Sequence, residues 1–126
     1  MRNLASRLLL ALAALVLAAG GLMHARAFDK TLAALAASNL EPFYASSLKA
    51  LWLIDSATLL ALAVVFTTIA VRPSLASRLV VVLLALVPAA TSFFLYKYFD
   101  GFLPAHLLAG AAASAALGGL SLPKTT

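Results

Sequence analysis

Few residues in this chain could do chemistry, and Asp55 is the most unusual of them. It lies about two helical turns inside a long apolar run, where an unpaired carboxylate costs roughly 2.5 to 3.5 kcal/mol at mid-membrane depth. The side chain should therefore face protein, with the hydroxyls of Thr58, Thr91 and Ser92 at a similar depth as candidate partners. Such a carboxylate serves either a hydrogen bond between packed helices or a contact with a proton, an ion or a ligand.

Aromatic and ionisable residues gather at the same end of the apolar runs as Asp55. The sequence predicts a ligand or ion contact there, made by Asp55, Trp52, His106, Lys97 and Tyr96. His106 and Lys97 are the candidate charge partners, although both lie nearer the surface than Asp55. Further rings at this end are Phe43, Tyr44, Phe93, Phe94, Tyr98, Phe99 and Phe102. Together the rings form either an interfacial aromatic belt, which the pattern favours, or the lining of an outward-opening vestibule.

Several kinds of chemistry are disfavoured by composition and motif. The chain has no Cys, which removes disulfides and thiolate metal sites. It has no paired-histidine zinc motif, no phosphate-binding glycine loop and no cluster of carboxylates. His24 and His106 could in principle be axial ligands of a haem, but two isolated histidines are weak evidence. We therefore expect no metal and no cofactor, and the sequence leans against an enzyme.

The elements that must position these residues are four apolar runs. Apolar residues make up 64% of the chain and charged residues 10%, and about 20 helical residues cross a hydrocarbon core of ~30 Å. The sequence predicts an all-α polytopic membrane protein, a single domain over residues 1–126 with four transmembrane helices in an up-down bundle. The runs cover residues 4–23, 48–71, 75–99 and 102–122.

Residues 28–40, between the first two runs, have apolar positions at helical spacing. These positions are Phe28, Leu32, Leu35 and Leu40, and polar residues take the other side. The pattern predicts a short amphipathic helix at the membrane interface over about 28–40. A plain connector without a lipid role is the alternative. Pro42 then separates this segment from the second span.

The distribution of positive charge predicts the orientation. The inner set is Arg2, Arg7, Arg72, Arg78 and Lys124, and the outer set is Arg26, Lys30, Lys49 and Lys97. This small excess predicts both termini in the cytoplasm, with dual topology left open.

The first run also has features of a signal peptide cleaved before Phe28, but a retained helix gives an even number of spans. The Ala and Leu content is compatible with a bacterial inner-membrane protein.

The basic residues stand singly at the ends of apolar runs. That placement suits the phosphates of membrane lipids, and we expect no nucleic-acid partner. Arg7 in particular is expected to reach the inner headgroups.

Small residues recur every four positions along the fourth run, at Gly110, Ser114 and Gly118. This spacing permits close helix contact, either within the bundle or with a partner helix.

The layout resembles that of small four-span bacterial membrane proteins, including the DoxX-like group. The run Leu-Lys-Ala-Leu-Trp-Leu-Ile-Asp-Ser at 48–56 has the character of a family signature, but the resemblance is one of size and arrangement. It implies no activity and no residue role.

Three functions follow from these patterns. The leading one is an accessory or structural subunit of a membrane complex, or a homo-oligomer. The second is a small oligomeric transporter or lipophile-binding protein, with an outer aromatic vestibule and a proton-coupled Asp55. The third is a membrane enzyme or electron carrier.

Overall fold

The computed structural model describes residues 2–123, and all its regular elements in that range are helical. The prediction of an all-helical chain with four helices long and apolar enough to cross a membrane is confirmed for this range. Lys124, one of the predicted inner charges, lies outside the described residues. The elements are α1 (Arg2–Arg26), α2 (Phe28–Ala36), α3 (Pro42–Val71), a 3-10 turn (Pro73–Leu75), α4 (Arg78–Tyr98) and α5 (Leu103–Leu120).

Local signals explain where these helices begin. α3 begins earlier than predicted because Pro42 fits the first turn of a helix, where no backbone donor is needed. Its 30 residues span about 45 Å, so α3 is longer than a hydrocarbon core of ~30 Å. The Ser77 hydroxyl caps α4 by accepting a hydrogen bond from the Val80 N–H. Gly101, with φ of 60°, reverses the chain between α4 and α5 in a conformation that glycine adopts readily.

Between the first two long helices, the short helix α2 covers less of the chain than the predicted range of 28–40. α2 ends at Ala36, and the Ser38 hydroxyl donates to the Leu35 carbonyl at 2.7 Å. Such a local side-chain bond competes with the helical pattern and favours a turn. Only Ala27 separates α1 from α2, and no residue of α2 is buried. Its position at a membrane interface stays a prediction.

A square bundle of four long helices has four pairs of neighbouring helices. Three of those pairs are packed in this structure. α1 packs along both α3 and α5, and α4 packs along α5. α3 and α4 are joined by a tight turn, yet they do not pack along their lengths. The buried core includes Leu10, Leu17, Phe66, Val81 and Ala115. One side of the bundle is therefore open between α3 and α4.

Three glycines mark the closest approaches between helices. A Cβ atom would lie 2.9 Å from the Leu60 Cγ if added at Gly21, 3.0 Å from the Leu10 Cγ if added at Gly118, and 2.8 Å from the Val81 Cγ1 if added at Gly119. Small residues let helix backbones approach where no larger side chain would fit.

Two arginines bind main-chain carbonyls in the last turn of α3 and just beyond the end of α5, at the end of the bundle opposite Asp55. Arg7 Nε donates to the Ala70 carbonyl at 2.8 Å, and Arg78 Nε donates to the Leu122 carbonyl at 2.6 Å. The last carbonyls of a helix lack helical partners and carry partial negative charge, so a guanidinium stabilises them. Arg7 therefore has a hydrogen-bond partner within the protein, while its reach to the lipid headgroups stays a prediction.

Candidate functional site

A groove of about 670 Å³ lies along the open side of the bundle, between α3 and α4. Its walls are mainly apolar, and its polar members are His24, Trp52, Asp55 and Thr91. The apolar lining consists of Leu48, Leu51, Leu86, Val87, Ala90, Phe94 and Leu95. Apolar walls with a few polar groups on one side are typical of sites for small lipophilic molecules.

A ring of contacts between α1 and α3 holds the polar end of this groove. The Trp52 Nε1–H donates to the His24 carbonyl at 2.8 Å, and the two rings stack with centroids 4.0 Å apart and planes 10° apart. His24 Nδ1 lies 2.8 Å from Ser56 Oγ, which in turn is 3.0 Å from the Trp52 carbonyl. We call His24, Trp52 and Ser56 the clasp.

The clasp fixes which imidazole nitrogen carries a proton. A serine hydroxyl has one hydrogen, and Ser56 donates it to the Trp52 carbonyl one turn earlier in α3. His24 Nδ1 must then be the donor in its bond to Ser56. This assignment follows from the hydrogen-bond network. It points the Nδ1–H of His24 toward the side of α3 that carries Ser56 and Asp55.

Asp55 lies beside the clasp and faces the groove. Its Oδ2 is 3.7 Å from His24 Nδ1, and its side chain is 38% exposed. Trp52, Asp55 and Ser56 share one side of α3 because residues three and four apart are neighbours on a helix. The carboxylate is thus held next to an imidazole at the polar end of an apolar groove.

The hydroxyls predicted to satisfy Asp55 have other partners. Thr58, Thr91 and Ser92 donate to main-chain carbonyls, at 2.8 Å to Ile54, 3.0 Å to Val87 and 2.8 Å to Ala105. The Thr58 bond lies within α3 and the Thr91 bond lies within α4, whereas the Ser92 bond joins α4 to α5. That prediction is corrected, since these bonds use the single hydrogen of each hydroxyl.

The other predicted contact residues do not join Asp55. Tyr96 Oη lies 2.6 Å from His106 Nδ1, which makes an exposed pair between α4 and α5. Lys97 is also exposed, and its Nζ lies 5.4 Å from the centre of the Tyr98 ring. Of the predicted set, the structure brings Trp52 together with Asp55 and Tyr96 together with His106.

His24 is the residue that the sequence analysis did not connect with Asp55. It occupies the last turn of α1, and Gly21, one turn earlier, contacts Leu59 and Leu60. An antiparallel pairing of α1 with α3, anchored at this glycine, places His24 level with residues 52–56. The small pair Gly20-Gly21 was the signal that could have predicted this register.

The two histidines named in the haem hypothesis lie in separate contacts. His24 Nδ1 contacts Ser56 across α1 and α3, and His106 Nδ1 contacts Tyr96 across α5 and α4. Within residues 2–123 there is no group of three or more His, Cys, Asp and Glu side chains that could hold a metal ion.

Most of the aromatic residues at this end lie on the outside of the bundle. Phe43, Phe93 and Tyr98 are 73%, 63% and 69% exposed. Only two of the nine aromatic residues assigned to this end, Trp52 and Phe94, line the groove. The arrangement is that of exposed rings around a mainly aliphatic groove, in place of a vestibule lined by rings.

No family model, curated protein or solved structure matches this chain. The groove, the clasp and the carboxylate beside it are the features of the molecule that bear on function.

The predicted stripe of small residues on α5 divides between the inside and the outside of the bundle. Gly118 is buried against Leu10 of α1, and its carbonyl accepts a hydrogen bond from the Ser6 hydroxyl at 2.7 Å. Ser114 is half-buried, and Gly110 is exposed with open space where a Cβ would be. Gly118 therefore serves internal packing, whereas Gly110 leaves a small indentation on the outer surface.

Proposed function

We propose that this chain is an integral membrane protein that binds a lipophilic molecule in the groove between α3 and α4. The observation that carries the proposal is the groove itself, which is apolar along its walls and has the one carboxylate of its lining beside the clasp. In this proposal the four long helices cross a bacterial inner membrane in up-down order, with both termini in the cytoplasm. The aromatic end of the bundle then lies at the outer interface.

The shape and position of the groove suit a ligand that arrives through the lipid. Its volume of about 670 Å³ falls within the range of roughly 300 to 1,000 Å³ that is usual for small-molecule sites. Because the open side of the bundle faces the acyl chains in this arrangement, an apolar molecule can enter sideways without crossing water. Because other molecules of the bilayer interior are also apolar, preference for this ligand then depends on the shape of the groove and on its polar end.

Transport is an extension of this binding role. A bundle of four helices leaves little internal space, so a transporting form requires several copies of the chain. Asp55 would then couple movement of the ligand to protons. Replacement of Asp55 by Asn would abolish pH-dependent uptake while leaving membrane insertion intact, and unchanged uptake would exclude this form.

Association with another helix is the second candidate function, as an accessory subunit or a homo-oligomer. The observation that favours it is the exposed Gly110, followed one turn later by the half-buried Ser114. Because the chain has no Cys, Gly110→Cys gives a single thiol for disulfide trapping in membranes. A trapped dimer at this position, absent from an Ala61→Cys control on the exposed face of α3, would support a homo-oligomer.

The sole tryptophan provides a direct test of lipophile binding. Trp52 lines the groove, so bromine on a bound molecule should quench its fluorescence by contact. In lipid nanodiscs, 11-bromoundecanol should quench Trp52 saturably. Ala90→Phe, which fills the groove, should leave only the linear quenching that comes from partition into lipid. Ala61→Phe, an exposed position away from the groove, is the matched control. Linear quenching in the unmodified protein would contradict the proposal.

A further inference from the structure

The four long helices contain a single acidic residue among them, and that residue lines the groove. Asp55 stands in α3, while α1, α4 and α5 have no Asp or Glu. The charges elsewhere are mostly positive, with a formal net charge of +5. A carboxylate at this place is therefore a specific feature of the groove and not part of a general acidic surface.

The immediate surroundings of Asp55 leave its negative charge weakly compensated. The His24 Nδ1 donates to Ser56 at 2.8 Å, and its distance of 3.7 Å from Asp55 is too long for a hydrogen bond. His24 is the only ion-pair contact of Asp55 within residues 2–123. The His24 donor is thus used by Ser56, so a bound cation would stabilise the carboxylate where lipid makes it costly.

The rest of the lining fits an alkylammonium amphiphile. Leu86, Val87 and Ala90 offer an apolar wall on α4 for a hydrocarbon chain. One face of the Trp52 ring is stacked on His24, whereas Phe94 lines the groove from α4, and an aromatic face attracts an ammonium group. A carboxylate and aromatic rings in one lining therefore provide two interactions that recognise an ammonium head.

A phospholipid with a choline or ethanolamine head fits less well. Its phosphate would lie close to the ammonium and would need a positive partner. Among residues 2–123 no Lys or Arg lines the groove, and Arg7 and Arg78 are bound to carbonyls at the opposite end of the bundle. The absence of a phosphate partner favours a molecule whose head carries positive charge alone.

We propose that the ligand of this groove is a single-chain lipophilic amine or quaternary ammonium compound, with its hydrocarbon chain against α4 and its cationic head at Asp55. This inference rests on the proposed lipophile-binding function and adds the class of ligand. The head lies near the outer interface, where it can reach water as it enters and leaves.

Three probes with the same brominated chain test the head group separately from the chain. These are (11-bromoundecyl)trimethylammonium, 11-bromoundecanol and 11-bromoundecanoate, each titrated against Trp52 fluorescence in nanodiscs of uncharged net composition. The ammonium probe should bind at least about tenfold more tightly than the alcohol, with the carboxylate probe weakest. A factor of ten corresponds to about 1.4 kcal/mol, a reasonable contribution from one partly exposed ion pair.

Substitutions at Asp55 assign the preference to that residue. Asp55→Asn should remove the preference for ammonium while 11-bromoundecanol binds as before, and Asp55→Glu should retain it. Lys97→Gln, at an exposed position outside the groove, is the control that should change neither. If Asp55→Asn does not insert, retention of the preference in Asp55→Glu together with its loss in Asp55→Ser decides the same point.

The outcomes distinguish a failure of the ammonium assignment from a failure of the proposed lipophile binding. Equal affinities for the three probes, or a preference for the carboxylate, would overturn the ammonium assignment but leave lipophile binding standing. Stronger displacement by dodecylphosphocholine than by dodecyltrimethylammonium would replace the amine with a phospholipid and overturn the assignment. Absence of saturable quenching with every probe would overturn both proposals.

Discussion

The indole N–H of Trp52 donates to the His24 carbonyl at 2.8 Å while the indole and imidazole rings stack face to face. This relationship joins the last turn of α1 to the part of α3 that carries Asp55. It explains why the groove has an ordered polar end although α3 and α4 do not pack along their lengths. The clasp orients His24, and His24 in turn lies next to the carboxylate.

The three members of the clasp should be energetically coupled. Trp52→Phe removes the hydrogen bond to His24 while keeping an aromatic ring, and Ser56→Ala removes the link to His24 Nδ1. Each change should lower the free energy of unfolding by about 0.5 to 1.5 kcal/mol, the usual net value of one hydrogen bond. The double variant should lose at least about 0.5 kcal/mol less than the sum, because each bond helps to orient the other.

The coupling can be measured by unfolding in mixed micelles, followed by circular dichroism. Ser47→Ala is the matched control, since the Ser47 hydroxyl donates within α3 to the Phe43 carbonyl and lies outside the clasp. Strictly additive losses in the double variant would mean that the clasp does not act as a unit.

The four apolar helices were predictable because their signal is local. Length and hydropathy identify a helix that can cross a membrane without knowledge of its neighbours. Pro42, Gly101 and Pro104 also mark where helices begin or end, near the predicted connections. The end of α2 was less predictable, since a single bond from the Ser38 hydroxyl decides it. Helix bounds therefore differed from the prediction where one side chain competes with the backbone, at Ser38, and where a proline begins a helix, at Pro42.

The candidate site was only partly predictable because its contacts depend on which helices pack together. Depth along the bundle grouped Trp52 with Asp55, and both line the groove, but it also suggested Thr91 and Ser92 as partners of Asp55. Those hydroxyls are bound to carbonyls, and the actual neighbour of Asp55 comes from α1. A hairpin sequence predicts that α3 and α4 are close, whereas the structure leaves a groove between them. Helix pairing is a tertiary property that hydropathy alone does not encode.

Removing the Arg7 side chain should destabilise the end of the bundle opposite the groove. Arg7→Gln loses the charge-assisted bond to the Ala70 carbonyl, so the free energy of unfolding should fall by about 1.5 to 3 kcal/mol. Arg72→Gln removes a positive charge from the same end at an exposed position and should cost less than about 0.5 kcal/mol.

The comparison of these two variants separates packing from orientation. Both lose one charge of the predicted inner set, so any effect on membrane orientation should be similar. Accessibility of single cysteines in intact cells measures orientation, and unfolding in micelles measures stability. Equal stability of the two variants would show that the Arg7 bond contributes nothing beyond its charge.

Gly119 and Gly110 should respond in opposite ways to the addition of one methyl group. At Gly119 the new Cβ would meet Val81 Cγ1 at 2.8 Å and Val81 Cβ at 2.9 Å, and crowding of this kind costs about 1 to 3 kcal/mol. At Gly110 nothing lies within 4 Å, so Gly110→Ala should be neutral or stabilise the helix by up to about 1 kcal/mol.

A larger substitution at Gly110 reports on association with another helix. Gly110→Leu should leave the fold of the monomer intact because its side chain points into open space. If α5 contacts a partner helix at Gly110, this larger residue should reduce oligomer or complex formation in cross-linking of native membranes. An unchanged assembly with Gly110→Leu would remove the support for a partner at this face.

Acidification should weaken binding of the ammonium probe through His24. The ionisable residues on the lining are His24, contributed by α1, and Asp55, contributed by α3; α4 contributes none. Protonation of the imidazole places a positive charge 3.7 Å from the Asp55 carboxylate, where it competes with the ammonium head. Affinity for (11-bromoundecyl)trimethylammonium should therefore be lower in acidic buffer than in alkaline buffer, because histidine is the side chain that most readily gains a proton on acidification.

His24→Gln should make this fall smaller, because glutamine can donate to Ser56 without gaining charge. His106→Gln, in the separate pair with Tyr96, should keep the full dependence, and 11-bromoundecanol should bind equally at both pH values. Affinity is measured by quenching of Trp52, with each quenching curve compared with its own unquenched emission at the same pH. An equal fall in His24→Gln and in the unmodified protein would show that His24 does not compete with the ammonium head at Asp55.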